Sequence, residues 1–237
     1  VHYCPNTESC PPQVRGKIEH FISRNAMDIN HLGPNTIKGL YDKGIIKNVA
    51  DLYLLNFEDL NGLKFEIFDP VTGETKTRSI KEKTANNILQ SLEKSKEIPF
   101  ENVLFGLGIR FVGKTVAEKL VQHFKSVEKL MGSGYDEILE VHEIGERIAQ
   151  SVINFFKEED NQQIIERLRE AGLNFESETD DSDGSDILKG KSFVVSGVFE
   201  TYDREELKTM IKIKISNTPE YIKEYIDALD MKKSLSG

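Results

Sequence analysis

Three short stretches share one pattern. Residues 29–37 (INHLGPNTI), 109–117 (IRFVGKTVA) and 141–149 (VHEIGERIA) each read apolar-x-x-apolar-Gly. Each then opens a helical pattern that returns to Ile or Ala four positions past the glycine. A fourth stretch, 77–85 (TRSIKEKTA), keeps the frame but carries Lys81 where the others have glycine. The chemistry this offers is anion binding. A glycine without a Cβ lets the chain turn sharply and lets another surface come close. The first amides of the helix behind it have no intrahelical partner and sit at its positive end, which suits a phosphate. Candidate ligating groups are the amides near Gly33, Gly113 and Gly145. Arg110, Lys114 and Arg147 add charge, while Lys81 leaves its unit a structural role. A single copy reads as an ordinary turn between helices. Repetition of the copy favours phosphate binding, which grips duplex DNA without reading its sequence.

Other reactive side chains are sparse. Cys4 and Cys10 are the only cysteines. On spacing alone they form a disulfide, two inert thiols or half of a metal site. His2 is a candidate third ligand beside them. His31 and His142 fall in the turns, and His20 and His123 in helical patterns. Phe100, Phe105 and Phe111 are expected in the core rather than against bases. Neither a nucleophile elbow nor paired carboxylates in an apolar context are found, so a hydrolase reading has no support.

The elements that must position these turns are mostly short helices. Apolar spacing predicts one within 13–25, then 34–43, 49–55, 81–96, 99–106, 114–124, 126–131, 135–140, 146–156 and 159–171. Residues 64–80 break the pattern: two strand-like runs flank Pro-Val-Thr-Gly and read as an inserted β-hairpin. The stretch 176–186 (ESETDDSDGSD) holds six acids and no base, and reads as a flexible tether. The formal charge is −9, of which those six acids account for all but −3. Binding to phosphate therefore rests on local cations and amides, not on a global basic field. No apolar run is long enough for a membrane span, and there is no signal-peptide pattern. The chain begins with Val1, which suggests a fragment or a processed product.

Taken together, CPNTESCPPQ, AMDINHLG, the repeated hairpins and LKGKSFVVSG resemble the C-terminal half of bacterial NAD-dependent DNA ligases, over residues 1 to about 211. The resemblance implies a mainly α fold: a zinc-knuckle remnant and helix at 1–25, and a four-unit tandem helix-hairpin-helix domain at 26–175 with the β-hairpin insertion at 64–80. An acidic linker at 176–186 and a partial α/β BRCT-like module at 187–237 would follow. The pattern of that last module breaks after Ile211. In the family four cysteines hold a structural zinc, so Cys4 and Cys10 would be half of a site, and two thiolates cannot satisfy tetrahedral zinc.

The resemblance also implies the partners. They are duplex DNA with nicks, and the adenylation and oligonucleotide-binding domains of the same enzyme. A monomer in the bacterial cytoplasm, at the nucleoid and without a membrane, is expected. NAD and Mg serve the full enzyme, but no KxDG motif is present here, so neither is expected to bind this chain and catalysis is not expected from it alone. The alternatives are a helix-hairpin-helix repair scaffold of another class and a helical scaffold that binds only protein.

Overall fold

In the computed structural model, residues 10–68 and 72–177 are described, and all of them fall within one compact unit, Val1–Glu178. Three expectations lie outside the described residues: Cys4 with its neighbour His2, the acidic linker from residue 178 onward, and the BRCT-like module.

Among the described residues the unit is built from ten α-helices, one 3₁₀ helix and one β-hairpin. Helix α1 (Pro11–Phe21) starts with two prolines, where missing amides cost nothing, and buries Val14, Ile18 and Phe21 on one face. It stops at Phe21 rather than running to residue 25. The chain folds back there, with Met27 N donating to Phe21 O at 3.1 Å and Ile29 N to Ile22 O at 3.0 Å. Helix α2 (Pro34–Asp42) follows, then the 3₁₀ helix Val49–Leu54 and α3 (Phe57–Leu60). Both short elements are nucleated by reciprocal caps. Asn48 N donates to Asp51 Oδ2 at 3.0 Å while Asn48 Oδ1 accepts from Ala50 N at 3.0 Å, and Asn56 and Asp59 exchange side-chain and backbone hydrogen bonds of 3.0–3.1 Å.

Strands β1 (Lys64–Phe68) and β2 (Thr75–Ser79) pair antiparallel, from Lys64 opposite Ser79 to Phe68 opposite Thr75. The hairpin docks on α2 through Phe65. A Cβ on Gly39 would lie 2.7 Å from the Phe65 Cβ, so only glycine permits this approach.

The hairpin leads directly into α4 (Glu82–Ser95), which buries Ala85, Ile88 and Leu92. Next come α5 (Phe100–Gly106), α6 (Lys114–Phe124), α7 (Val127–Gly132), α8 (Tyr135–Leu139), α9 (Glu146–Lys157) and α10 (Glu159–Glu170). Their apolar faces join one continuous core with α1 and α2. Polar links at its margin join elements distant in sequence. Tyr53 Oη lies 2.8 Å from Ser95 Oγ, and burial pushes the phenol up to about 12. Arg167 of α10 donates to Asp51 at 2.6 Å. Burial raises the Asp51 pKa, but the Arg167 hydrogen bond, the amides of Lys47 and Asn48 and the Arg167 charge outweigh it, leaving the carboxyl below its ordinary value.

The first two residues of the stretch expected as a tether are held. Ser177 N donates to Lys125 O at 2.7 Å, and Glu176 bridges to Ser126. Phe100 is buried and Phe105 packs on the core as expected, but Phe111 is 53% exposed. Its hydrophobicity suggests core, but the turn that carries it leaves its ring in solvent.

Candidate nucleic-acid interface

The three glycine stretches fold alike. In 29–37, 109–117 and 141–149 the first, fourth and ninth residues are buried, the eighth is half-buried and the other five are exposed. The buried positions are Ile29, Leu32 and Ile37; Ile109, Val112 and Ala117; and Val141, Ile144 and Ala149. In the second and third stretches the turn closes by a hydrogen bond of 3.0 Å from the fourth amide to the first carbonyl.

The sharp bend is not made by the glycine. It is made two residues earlier, at His31, Phe111 and Glu143, whose φ values are 67°, 67° and 64°. Gly33, Gly113 and Gly145 instead have φ of −83°, −84° and −96° with extended ψ, a conformation open to any residue. The expectation that glycine serves the turn is thereby corrected. Close approach is what is left to explain it. All three glycines are exposed, and a Cβ added to any of them would meet no atom within 4 Å. Among the described residues nothing explains their smallness.

Each glycine is the N-cap of its helix, and its carbonyl accepts from the residue four further on, at 3.0 Å for Ile37, 2.9 Å for Ala117 and 3.1 Å for Ala149. No side chain caps the first turn of α2, α6 or α9. The leading amides therefore face outward at the positive end of each helix. Pro34 removes one such amide from α2.

Lys114 and Arg147 are exposed beside these amides and make no ion pair among the described residues. Arg110 is also exposed, and its guanidinium carbon lies 4.9 Å from the centre of the Phe111 ring. Each of these two turns thus offers an uncapped set of amides with an exposed cation beside it, and the second adds an aromatic tip with a cation on its face. Phe111 is the member that sequence reasoning missed. The signal available was its place in the repeat, two residues before the glycine, where His31 and Glu143 are also exposed.

The stretches are tied together in pairs. Glu143, in the third turn, forms an ion pair with Lys119 of α6. That hydrogen bond and the Lys119 charge hold the Glu143 carboxyl below its usual value, so its charge near an anion site is balanced. Asn30, in the first turn, donates its amide to Ser91 of α4 at 2.8 Å. The fourth stretch lacks a glycine hairpin. Its first position, Thr77, is an exposed strand residue, and β2 delivers the chain into α4.

Of the remaining predicted residues, Cys10 is a free thiol at the N-cap of α1. Among the described residues no three His, Cys, Asp or Glu converge, and Cys10 alone cannot hold a structural zinc. His31 and His142 are exposed, as expected of turn positions. His20 Nε2 lies 2.9 Å from Phe105 O, with the two rings edge to face, so it serves packing. Among the described residues no helix is long and apolar enough to cross a membrane.

Geometry of this kind defines a class. Residues 102–165 match the family model for the helix-hairpin-helix motif, spanning the second and third glycine turns. The wider chain is similar to proteins named DNA ligase. It is 48% identical over 213 residues to the DNA ligase of Phocaeicola vulgatus, covering 90% of this chain and 30% of that protein. It is 48% identical over 212 residues to that of Flavobacterium johnsoniae, covering 89% and 30%. With that of Porphyromonas gingivalis it shares 44% over 212 residues, covering 90% and 29%. The chain thus spans about 30% of the length of these relatives.

Proposed function

We propose that this chain is the non-catalytic DNA-binding part of an NAD-dependent DNA ligase, and that it grips nicked duplex DNA through backbone phosphates at the minor groove. Four units then act as a tandem array in two pairs, each pair addressing the two strands that border the groove. The observation that carries the reading is the open space over Gly33, Gly113 and Gly145. A phosphate oxygen needs that space to reach the amides behind it. Each charge-assisted amide contact contributes on the order of 1.5–3 kcal/mol. Lys114, Arg147 and Arg110 add screened attraction, and Phe111 lies against the sugar edges. None of these contacts distinguishes one base from another, so affinity is expected to be independent of sequence and to fall steeply with salt.

Nick sealing itself belongs to the whole enzyme in this reading. The chain has no KxDG motif, and incubation with labelled NAD should leave it unlabelled. Cys10, with Cys4 and an upstream pair, would serve a structural zinc there.

The test is a titration of labelled nicked and intact duplexes with the 237-residue chain over a series of NaCl concentrations. Binding at low salt that weakens as salt rises supports the proposal. Absence of binding at low salt ends it.

A further inference from the structure

The fourth unit is the departure from the repeat. Lys81 caps α4 with φ −96° and ψ 161°, the same geometry as the three glycines. Ala85 N donates to Lys81 O at 3.0 Å, as Ala117 N does to Gly113 O at 2.9 Å. From Ile80 to Ala85 burial follows the other units residue for residue. The backbone frame is therefore intact, but a lysine Cβ fills the place that is open elsewhere. Capture of a phosphate by bare amides is obstructed here.

What this unit has instead is charge. Residues 76–83 (KTRSIKEK) hold four cations and one acid in a chain of net −9. Counting from the cap, Arg78 stands at the position of Arg110, three before, and Lys83 at the position of Arg147, two after. One unit carries the equivalents of both Arg110 and Arg147, with Glu82 at the position of Lys114. Lys76 and Arg78 alternate with Thr77 along β2, so they share one face of the strand. All four cations are exposed. Arg78, Lys81 and Lys83 make no ion pair among the described residues, and Lys76 reaches only an exposed Glu74 at 3.7 Å. The amide of Asn30 bound to Ser91 ties this unit to the first glycine turn, as Glu143 and Lys119 tie the third to the second.

We infer that the β2–α4 segment is a DNA-phosphate contact in which Arg78, Lys81 and Lys83 replace the glycine turn, substituting side-chain charge for backbone amides. The inference rests on the proposed function and deepens it. This unit contacts phosphate through flexible ammonium and guanidinium groups without the bare amides that the other units add to theirs, so it contributes counterion release more than fixed register.

The experiment compares the full chain with the combined Arg78→Gln, Lys81→Gln, Lys83→Gln variant, using a labelled nicked duplex over a series of NaCl concentrations. The expected result is a log–log salt slope shallower by about 2 to 3 and an affinity at low salt lower by at least about tenfold. Retention of the starting slope and affinity overturns the inference, provided the unaltered chain binds and Gly113→Val weakens it. If the unaltered chain itself does not bind, the proposed function is what has failed. Thermal melting checks that the exposed substitutions leave the fold intact. Should the combined variant misfold, Lys83→Gln alone carries the test, with an expected change in slope of about one and no change as the overturning result.

Discussion

Gly39 and Gly113 both belong to helical units, yet the same added methyl group would have opposite consequences. At Gly39, inside α2, it would collide with Phe65 of the β-hairpin at 2.7 Å. At Gly113, at the mouth of α6, it would meet nothing within 4 Å, and the backbone there is not left-handed. The first glycine is required by the fold. The second is not, and the same holds for Gly33 and Gly145. A small residue whose smallness the protein does not use points to something outside the protein.

The largest effect that would break this comparison lies at the turns. Combining Gly33→Val, Gly113→Val and Gly145→Val should weaken duplex binding by at least about three decades, at about 1.5 kcal/mol or more for each obstructed contact. The melting temperature should stay within a few degrees, since the added side chains enter solvent. A variant that unfolds, or one that binds as before, would remove the distinction between the two kinds of glycine.

Gly39→Val should behave in the reverse way. Overpacking against Phe65 should cost about 1–3 kcal/mol in chemical denaturation, with the binding surface unaltered in whatever remains folded.

A third test weakens the scaffold without touching either glycine. Arg167→Met removes the partner of a part-buried carboxylate and should cost about 1–2 kcal/mol, since Asp51 keeps the amides of Lys47 and Asn48. The sign of its pH dependence follows from the depressed Asp51 pKa. The stabilisation is present above the unfolded-state value, near 3.9, and is lost as pH falls through the lower folded-state value. The gap in stability between parent and variant should therefore narrow on acidification below about pH 4 in denaturant titrations.

The smallest change is Phe111→Gly. It relieves a bulky residue of a left-handed backbone, so stability should hold or rise by up to about 1 kcal/mol, while duplex affinity drops several-fold. Equal loss of both in melting and titration would assign Phe111 to the fold instead.

Most helices were legible because their apolar residues recur at helical spacing, as Ala85, Ile88 and Leu92 do in α4. The β-hairpin was legible from its turn residues. Helix α3 was not, because its four residues show no period; only the cap from Asn56 to Asp59 marks it. The site was legible as a repeat, but the division of labour within it was not. Sequence preference assigns left-handed backbone to glycine, whereas here His31, Phe111 and Glu143 adopt it, the last two within a hydrogen-bonded turn. That same turn exposes Phe111, which its hydrophobicity had placed inside. The link from Asp51 to Arg167 joins residues 116 apart, a separation that local patterns cannot report.

The left-handed tip has one more implication. Imidazole, phenyl and carboxylate occupy it in turn at nearly the same φ, so the loop accepts unrelated chemistry there without altering its path. It works as an interchangeable fitting on a standard mount. Grafting a photo-crosslinker or a reactive handle at residues 31 and 111 would map what each mount touches while leaving the machinery beneath it in place.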